Sequence, residues 1–408
     1  MKILVANLGS TSFKYRLFDM ADERVMARGG VERVGSDRAR GFVQAAYSRY
    51  DETVQAPDHA AAVRLCLRQL SEPQLRCLND PRDLAGIAFK AVHAQGLTGV
   101  HRVDDKVLDA MEAFADVAPA HNPPYVAAMR LLAREFPELL LVAAFETGFH
   151  DTIPPAEYLY AVPLEWAERY GIRRWGFHGA SHRYIAERTA ALIDNPSAKI
   201  ISCHLGGSSS VCAIRAGKSV ATSMGMSPQS GLPNNNRVGD FDPFALPALM
   251  RATGKTLPEI LHDLANRSGL AGLSGAGRDL RDVEAAMAAG DRRARQALDV
   301  FIASVRHYLG AYFVVLKGVD AIVFTGGIGE NSATIRSAVC ADLSWFGIRI
   351  DPEKNLQASG EMAIHRPGSR VQIWTMPTNE ELIVARQAKE FLEKRPSEAV
   401  VGVSDVPG

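Results

Sequence analysis

The sequence predicts an α/β protein made of two duplicated domains. Length is the first reason: 408 residues are too many for one compact core and suit two domains of ordinary size. The second is a repeated device. KILVANLGSTSFKYRLFD, from Lys2 to Asp19, and KIISCHLGGSSSVCAIRAG, from Lys199 to Gly217, each join an apolar run to an alternating one through a Leu-Gly turn and small hydroxylated residues, which predicts a β-hairpin in each half. The third is a pair of continuous apolar runs, LLLVAAF before Glu146 and AIVFT before Gly326, of the kind found in strands covered on both faces.

Composition narrows the class. The chain is 47% hydrophobic and 23% charged, and Lys+Arg and Asp+Glu each count 46, so no global excess of charge favours nucleic acid or an anionic membrane. Any anion site must be local. The amino end runs from Met1-Lys2 straight into a short strand, without a signal-type apolar core, and no uninterrupted run approaches the roughly 18 apolar residues that span a bilayer. Cys66, Cys77, Cys203, Cys212 and Cys340 form no C-x-x-C pair and read as small buried residues in a reduced, cytoplasmic setting.

The hairpin turns carry the first chemical expectation. Gly9, Gly206 and Gly207 allow close approach of the backbone to a ligand, and Ser10, Thr11, Ser12, Ser208, Ser209 and Ser210 put hydroxyls beside exposed amides. Such turns suit phosphate oxygens, with Lys14 adding a cation. Ordinary turn chemistry accounts equally well for either copy alone. The match between halves points to one polyphosphate gripped from both sides.

In chain order, Arg24 to Val34 continues an antiparallel sheet and His59 to Leu70 has helical spacing. AGIAFKAVH, ending at His93, reads as a strand carrying Lys90. Helices follow over Lys106 to Val117 and Tyr125 to Phe136, the latter behind Pro123-Pro124. Between them PAHNPP holds His121 and Asn122, as a ligand loop or a helix-helix corner. Glu146 ends a buried strand, a common site position in open α/β sheets and also an ordinary place for an acid. The first domain is taken as 1–150.

The second domain, 151–382, opens with GIRRWGFHGASHRYIAER, which sets His178 between glycines before a helix capped by Ser181, where it can face an anion. The loop from Ala221 to Pro247 is long and has one cation, Arg237; loops of that length are usually functional or disordered. Leu257 to Ala265 is a short helix, and Leu280 to Leu316 a long one broken near Gly290, with Phe301, Val305, Leu309 and Phe313 as its core stripe. Asp320 to Val339 reads as strand, glycine turn and helix, aiming the amides of Gly326 to Asn331 at a nucleotide. Val371 to Lys394 gives a strand, a turn and a closing helix with Glu380 and Glu381 at its start, where capping is their ordinary role. The helix over 383–396 is expected to pack back on the first domain, and 397–408 to be a loose tail.

Taken together, these residues resemble the acetate kinase family from Lys2 to about Lys394. The motifs are NLGSTSFK (Asn7 to Lys14), PAHNP (Pro119 to Pro123), FETGFHDTIP (Phe145 to Pro154), GIRRWGFHGASH (Gly171 to His182), CHLGG (Cys203 to Gly207), TSMGMSP (Thr222 to Pro228), NNRVGDFDP (Asn235 to Pro243), SGAGRDLRDV (Ser274 to Val283), FTGGIGENS (Phe324 to Ser332) and PTNEEL (Pro377 to Leu382). The resemblance implies two ribonuclease-H-like domains of the actin and sugar kinase type, with nucleotide and acid in the cleft between them, and a homodimer. It implies reversible transfer of the γ-phosphate of ATP to acetate or another short carboxylate, giving ADP and an acyl phosphate, with Mg²⁺ or in its place Mn²⁺. No G-x-x-x-x-G-K-[ST] motif of a P-loop kinase is present.

Residue by residue, the likeness assigns Arg237 and His178 to transition-state stabilisation, with His121 a third polar group near the transferred phosphate. Glu146 matches an aspartate used in catalysis and metal positioning, and Asn7 and Glu380 match metal positions. ATP falls to Lys14, to His204, Leu205, Gly206, Gly207 and Ser208, to Asp279, Leu280 and Arg281, and to Gly327, Ile328, Gly329, Glu330 and Asn331. The acid falls to Lys90, Val92, Ala120, Phe177 and Pro228. Four places depart from the pattern. Lys90 replaces an arginine and loses its two-pronged grip on a carboxylate. Glu146 is one methylene longer than the family's aspartate. Gly207 and Ser208 stand where asparagine and glycine are usual, and Ala120 where a leucine lines the acid pocket, which makes room for propionate or a longer acid at roughly 0.8 kcal/mol per buried methylene. A propionate- or butyrate-preferring kinase is therefore the alternative, and an inactive nucleotide-binding regulator a further one.

Overall fold

The computed structural model describes residues 1–394 except 47, 76 and 120. Ala120, the tail expected over 397–408 and the last residues of the helix expected over 383–396 thus lie outside the described residues. The chain divides into two compact units, one formed by Met1–Phe145 with the chain from Glu381 onward, the other by Glu146–Glu380.

The first unit is built on strands β1 (Lys2–Gly9), β2 (Ser12–Asp19), β3 (Arg24–Glu32), β4 (Arg40–Ala45), β5 (Arg49–Thr53), β6 (Leu84–Ala91), β7 (Val100–Arg102) and β8 (Leu141–Phe145), in sheet order β5-β4-β3-β2-β1-β6-β8-β7. Strand β1 is antiparallel to β2 and parallel to β6, β6 is parallel to β8, and β7 runs antiparallel to β8. The second unit has β9 (Lys199–His204), β10 (Ser210–Arg215), β11 (Lys218–Thr222), β12 (Ala321–Thr325), β13 (Met362–Ala363) and β14 (Gln372–Thr375), in order β11-β10-β9-β12-β14-β13. Its pairings repeat the same senses: β9 antiparallel to β10 and parallel to β12, β12 parallel to β14, β13 antiparallel to β14. The expected α/β duplication is therefore visible strand by strand, with β4 and β5 added to the first sheet.

Each sheet buries its apolar face under helices. In the first unit Phe13, Leu17, Ile87 and Phe89 pack with Val63, Cys66 and Leu70 of the helix His59–Leu70, which Asp58 caps through the Ala61 amide at 2.7 Å. In the second, Ile201, Val211 and Phe324 pack with Phe301, Val305, Leu309 and Phe313 of the helix Arg292–Leu316. That stripe is buried as expected, and the break falls where it was placed, between the helix Leu280–Ala288 and Asp291, with Gly290 at φ 93°. By length and composition this helix could cross a bilayer, which no uninterrupted run of the sequence suggested; its buried stripe reads it as a core helix. All five cysteines are buried and unbridged.

Three local readings are corrected. Ser181 does not cap its helix: the helix runs Gly179–Leu192 with His178 at the cap position, and Ser181 is buried in the first turn. The glycine turn after β12 is itself a short helix, Gly326–Asn331, followed by Ala333–Val339, which Ser332 caps. The helix expected over Lys106 to Val117 ends early, at Asp105–Glu112. The closing helix, Glu380–Glu393, is tied to the first unit by Arg386, whose guanidinium donates to both Glu23 oxygens at 2.8 and 2.7 Å.

Candidate active site

In an open α/β sheet, ligands gather at the carboxyl ends of the parallel strands. In the first unit those ends carry Asn7 on β1, Lys90 on β6 and Val92 just beyond it. Asn7 Nδ2 donates to Glu381 Oε1 at 3.4 Å, while its Oδ1 is buried with no hydrogen-bond partner among the described residues. The β1–β2 turn is short, since Gly9 pairs with Ser12 and only Ser10 and Thr11 lie between. His59 Nε2 meets the Gly9 carbonyl at 2.9 Å, and the Leu8 amide donates to Tyr125 Oη at 3.2 Å. Lys14 is taken up by Glu32 at 3.0 Å. His121 is half-buried at the cap of the helix Asn122–Glu135. Its neighbour Asn122 is fully buried and donates to the carbonyls of His93 and Met111 at 2.9 and 2.7 Å, so Asn122 fixes the start of this helix as a corner, with His121 directly before it.

In the second unit the corresponding ends are His204 on β9, Thr325 on β12 and Thr375 on β14. The β9–β10 turn is longer: His204 pairs with Ser210, leaving Leu205 to Ser209 between them. Ser209 folds back, its Oγ accepting from the Gly206 amide at 3.1 Å and donating to the Gly206 carbonyl at 3.0 Å. The Ser209 amide donates to Asn234 Oδ1 at 2.7 Å, and the Asn235 amide to the Gly207 carbonyl at 3.3 Å. These bonds lay the Asn234–Arg237 loop along the turn, and Arg237 Nη1 donates to Ser208 Oγ at 3.1 Å. No carboxylate pairs with Arg237 among the described residues, and burial lowers the pKa of its guanidinium. A half-buried cation without a counter-ion is a strong electrostatic call for an anion.

His178 stands beside this turn in the left-handed region, φ 57° and ψ 30°. Its ring stacks on His204 with centroids 4.2 Å apart. The Gly179 amide donates to the Glu146 carbonyl at 3.1 Å, and a Cβ on Gly179 would lie 2.1 Å from that oxygen, so only glycine lets the helix start against Glu146. Glu146 itself is 6% exposed. Phe177 and Pro228 are buried nearby in sequence to His178 and to the Arg237 loop.

Some sequence-derived candidates serve the protein itself. The amides of Ile328 and Gly329 both donate to the Leu205 carbonyl, at 2.8 and 3.0 Å, which ties the chain after β12 to the chain after β9, so these two amides drop out of the expected open row. Asp279 caps the helix Leu280–Ala288 and forks onto Arg281 at 3.0 and 2.6 Å, which holds its carboxyl at about 2. Glu330 lies half-buried with its pKa raised by burial. The residues that sequence reasoning passed over are Asn234, which joins loop to turn, and the buried His150 and His182. The last stands four residues after His178, a spacing that signals one helix face.

The acetokinase family matches residues 2–386. The chain belongs to the acetokinase family. It is 42% identical to an acetate kinase of Halothermothrix orenii over 96% of its length and all of that protein's. Its fold is similar to the crystal structure of Porphyromonas gingivalis acetate kinase, with a TM-score of 0.86 and 34% identity over 96% of this chain and 99% of that one. It is also similar to a propionate kinase from Francisella tularensis, TM-score 0.85 and 32% identity over 95% and 98%. The expected fold of two sugar-kinase-like domains and the expected enzyme class, a kinase that moves phosphate onto a carboxylate, both hold.

Proposed function

We propose that the protein is an acetate kinase, transferring the γ-phosphate of ATP reversibly to acetate or a close homologue to form an acyl phosphate and ADP. One observation supports it most: Arg237, half-buried and without a carboxylate partner among the described residues, is held on Ser208 of a glycine-serine turn. Phosphoryl transfer asks mainly for positioning and for cations around a charge-rich transition state. Arg237 and His178 are assigned to that charge, His121 and Glu146 to the reacting groups, and the turn of His204 to Ser208 to the phosphates. Ser10, Ser12 and Lys14, with Asp279 to Arg281 and Gly327 to Asn331, are assigned to the rest of the nucleotide.

Mg²⁺ fits the donors present. Asn7 offers a buried, unpartnered Oδ1, a hard oxygen ligand, and no cluster of three His, Cys, Asp or Glu side chains competes for a metal among the described residues. That agrees with a cation held by few protein groups and otherwise by phosphate and water. Asn7 and Glu380 would hold it; when bound it neutralises phosphate charge.

Lys90 is assigned to the carboxylate of the acid and Val92, Phe177 and Pro228 to its apolar end. The propionate-preferring reading rests on Ala120, a smaller residue than the leucine usual there in the family, and on the likeness to a propionate kinase, while Lys90 anchors the carboxylate of any such acid without a fork. Lys90→Arg should lower KM for the acid several-fold, measured across acetate, propionate and butyrate. A homodimer is proposed from the apolar surface of the second unit, where Leu164, Trp166, Tyr170, Phe241 and Phe244 are exposed, the last by 87%, whereas the first unit exposes only Met1 and Val25 among its described large apolar residues. A cytoplasmic setting is proposed from the five unbridged cysteines. The deciding experiment is hydroxamate trapping of acyl phosphate from purified protein with ATP, Mg²⁺ and each acid. Hydroxamate with acetate supports the reading; none with any short acid overturns it in favour of a nucleotide-binding regulator.

A further inference from the structure

Two buried histidines stand behind His178, and neither belongs to the machinery assigned above. The backbone of His178 is left-handed, which costs a non-glycine residue roughly 1–2 kcal/mol and persists only where surrounding bonds hold it. One such bond comes from His150. Its Nε2 lies 2.9 Å from the carbonyl of Phe177, the peptide that leads into His178. A carbonyl only accepts, so the His150 proton is on Nε2, and Nδ1 accepts from Ser219 Oγ at 2.9 Å. Burial pushes the His150 pKa down to about 4, so the ring keeps that single proton at neutral pH.

The side chain of His178 is reached by a second chain of bonds. His178 Nδ1 lies 2.8 Å from Ser210 Oγ, Ser210 Oγ lies 2.8 Å from His182 Nε2, and His182 Nδ1 lies 2.9 Å from Ser202 Oγ. Ser202, Ser210 and His182 have no solvent exposure. Burial, with His150 and His204 close by, holds His182 well below the ordinary histidine pKa, so it carries one ring proton.

The chain can be polarised in two directions. If His182 donated from Nδ1, the Ser202 hydroxyl hydrogen would have no acceptor among the described residues, a loss of about 1–3 kcal/mol inside the sheet. In the other direction Ser202 donates to His182 Nδ1, His182 Nε2 donates to Ser210, and Ser210 donates to His178 Nδ1. Every buried hydrogen in the chain is then used. We infer that Ser210 and His182 are positioning residues that hold His178 as the tautomer with its proton on Nε2, while His150 holds the peptide that carries it. Stacking on His204, itself bonded through Nδ1 to Ser181 Oγ at 2.8 Å, limits rotation of the ring. A ring so held presents one N–H donor in one direction, which is what a developing phosphoryl charge requires.

The inference rests on the reading of His178 as a donor to the transferred phosphoryl group, and its test separates the two. Imidazole ¹⁵N spectra of the full-length protein at neutral pH, with His178 assigned by the His178→Gln difference, should show Nδ1 as an acceptor and the proton on Nε2. A proton on Nδ1, or averaging between the nitrogens, overturns the inference. Ser210→Ala should abolish that signature and lower kcat about tenfold or more with KM for ATP and acid little changed, and Ser210→Thr should restore both. A folded Ser210→Ala protein with unchanged kcat also overturns it. Should Ser210→Ala fail to fold, the wild-type spectrum still decides. Full activity in His178→Gln, together with the Nε2 tautomer in the wild-type spectrum, would reject the catalytic reading and leave the tautomer assignment standing.

Discussion

The two hairpins share a written signature and differ in what their turns do. The β1–β2 turn is two residues long, exposed at Ser10 and Thr11, and its nearby cation Lys14 is already neutralised by Glu32. The β9–β10 turn is longer, leads into the fully buried Ser209 and Ser210, and binds a second loop that delivers Arg237 with no neutralising carboxylate among the described residues. The same strand frame thus occurs twice, and the longer of the two turns is the one that carries a second loop with its cation. The first copy keeps a short, exposed turn and an Asn7 oxygen with no hydrogen-bond partner among the described residues.

The comparison breaks most readily at Arg237. Arg237→Ala should lower kcat by about a thousandfold, with ATP affinity from equilibrium titration nearly unchanged; undiminished turnover would remove the distinction between the turns. Acid should also strain the second unit. His150 is neutral in the fold with its pKa lowered to about 4, so between the ordinary histidine value and that point the unfolded chain binds the extra proton. Stability is whole above about pH 6.5 and falls as pH drops towards 4, by on the order of 3 kcal/mol for this group. Urea midpoints against pH should show the decline, and His150→Gln should flatten it.

A smaller effect is expected at Ser209. Ser209→Ala strips the Gly206 amide of its acceptor, at about 1–3 kcal/mol, and should raise KM for ATP about tenfold while the first turn's counterpart, Ser12→Ala, changes it far less. The smallest belongs to Lys14. Half exposed and paired with Glu32, it should contribute at most about 1 kcal/mol, so Lys14→Ala should shift KM for ATP no more than a few-fold. A shift as large as that of Ser209→Ala would mean the first turn holds phosphate as firmly as the second.

Much of this was readable beforehand because it is local. The helix His59–Leu70 was bounded correctly since its period and the Asp58 cap lie within a dozen residues, and both hairpins showed in their alternation. Readings failed where distant backbone decides. Ser181 looked like a cap, but the helix begins earlier because Gly179 presses on the Glu146 carbonyl, a contact between segments far apart in sequence. The amides of Ile328 and Gly329 look open in the sequence, but the Leu205 carbonyl, in the turn after β9, takes both. Ser210 and Ser202 were legible as turn and strand residues; only the sheet register brings their hydroxyls to His182.

The Arg237 guanidinium beside the longer turn has a practical side as well. A positive group so placed does not choose among small oxyanions before substrate arrives, so sulfate, inorganic phosphate or nitrate in the medium should lodge there and compete. Rates taken in phosphate buffer would then understate the enzyme, and a chloride or zwitterionic medium would be the fairer one.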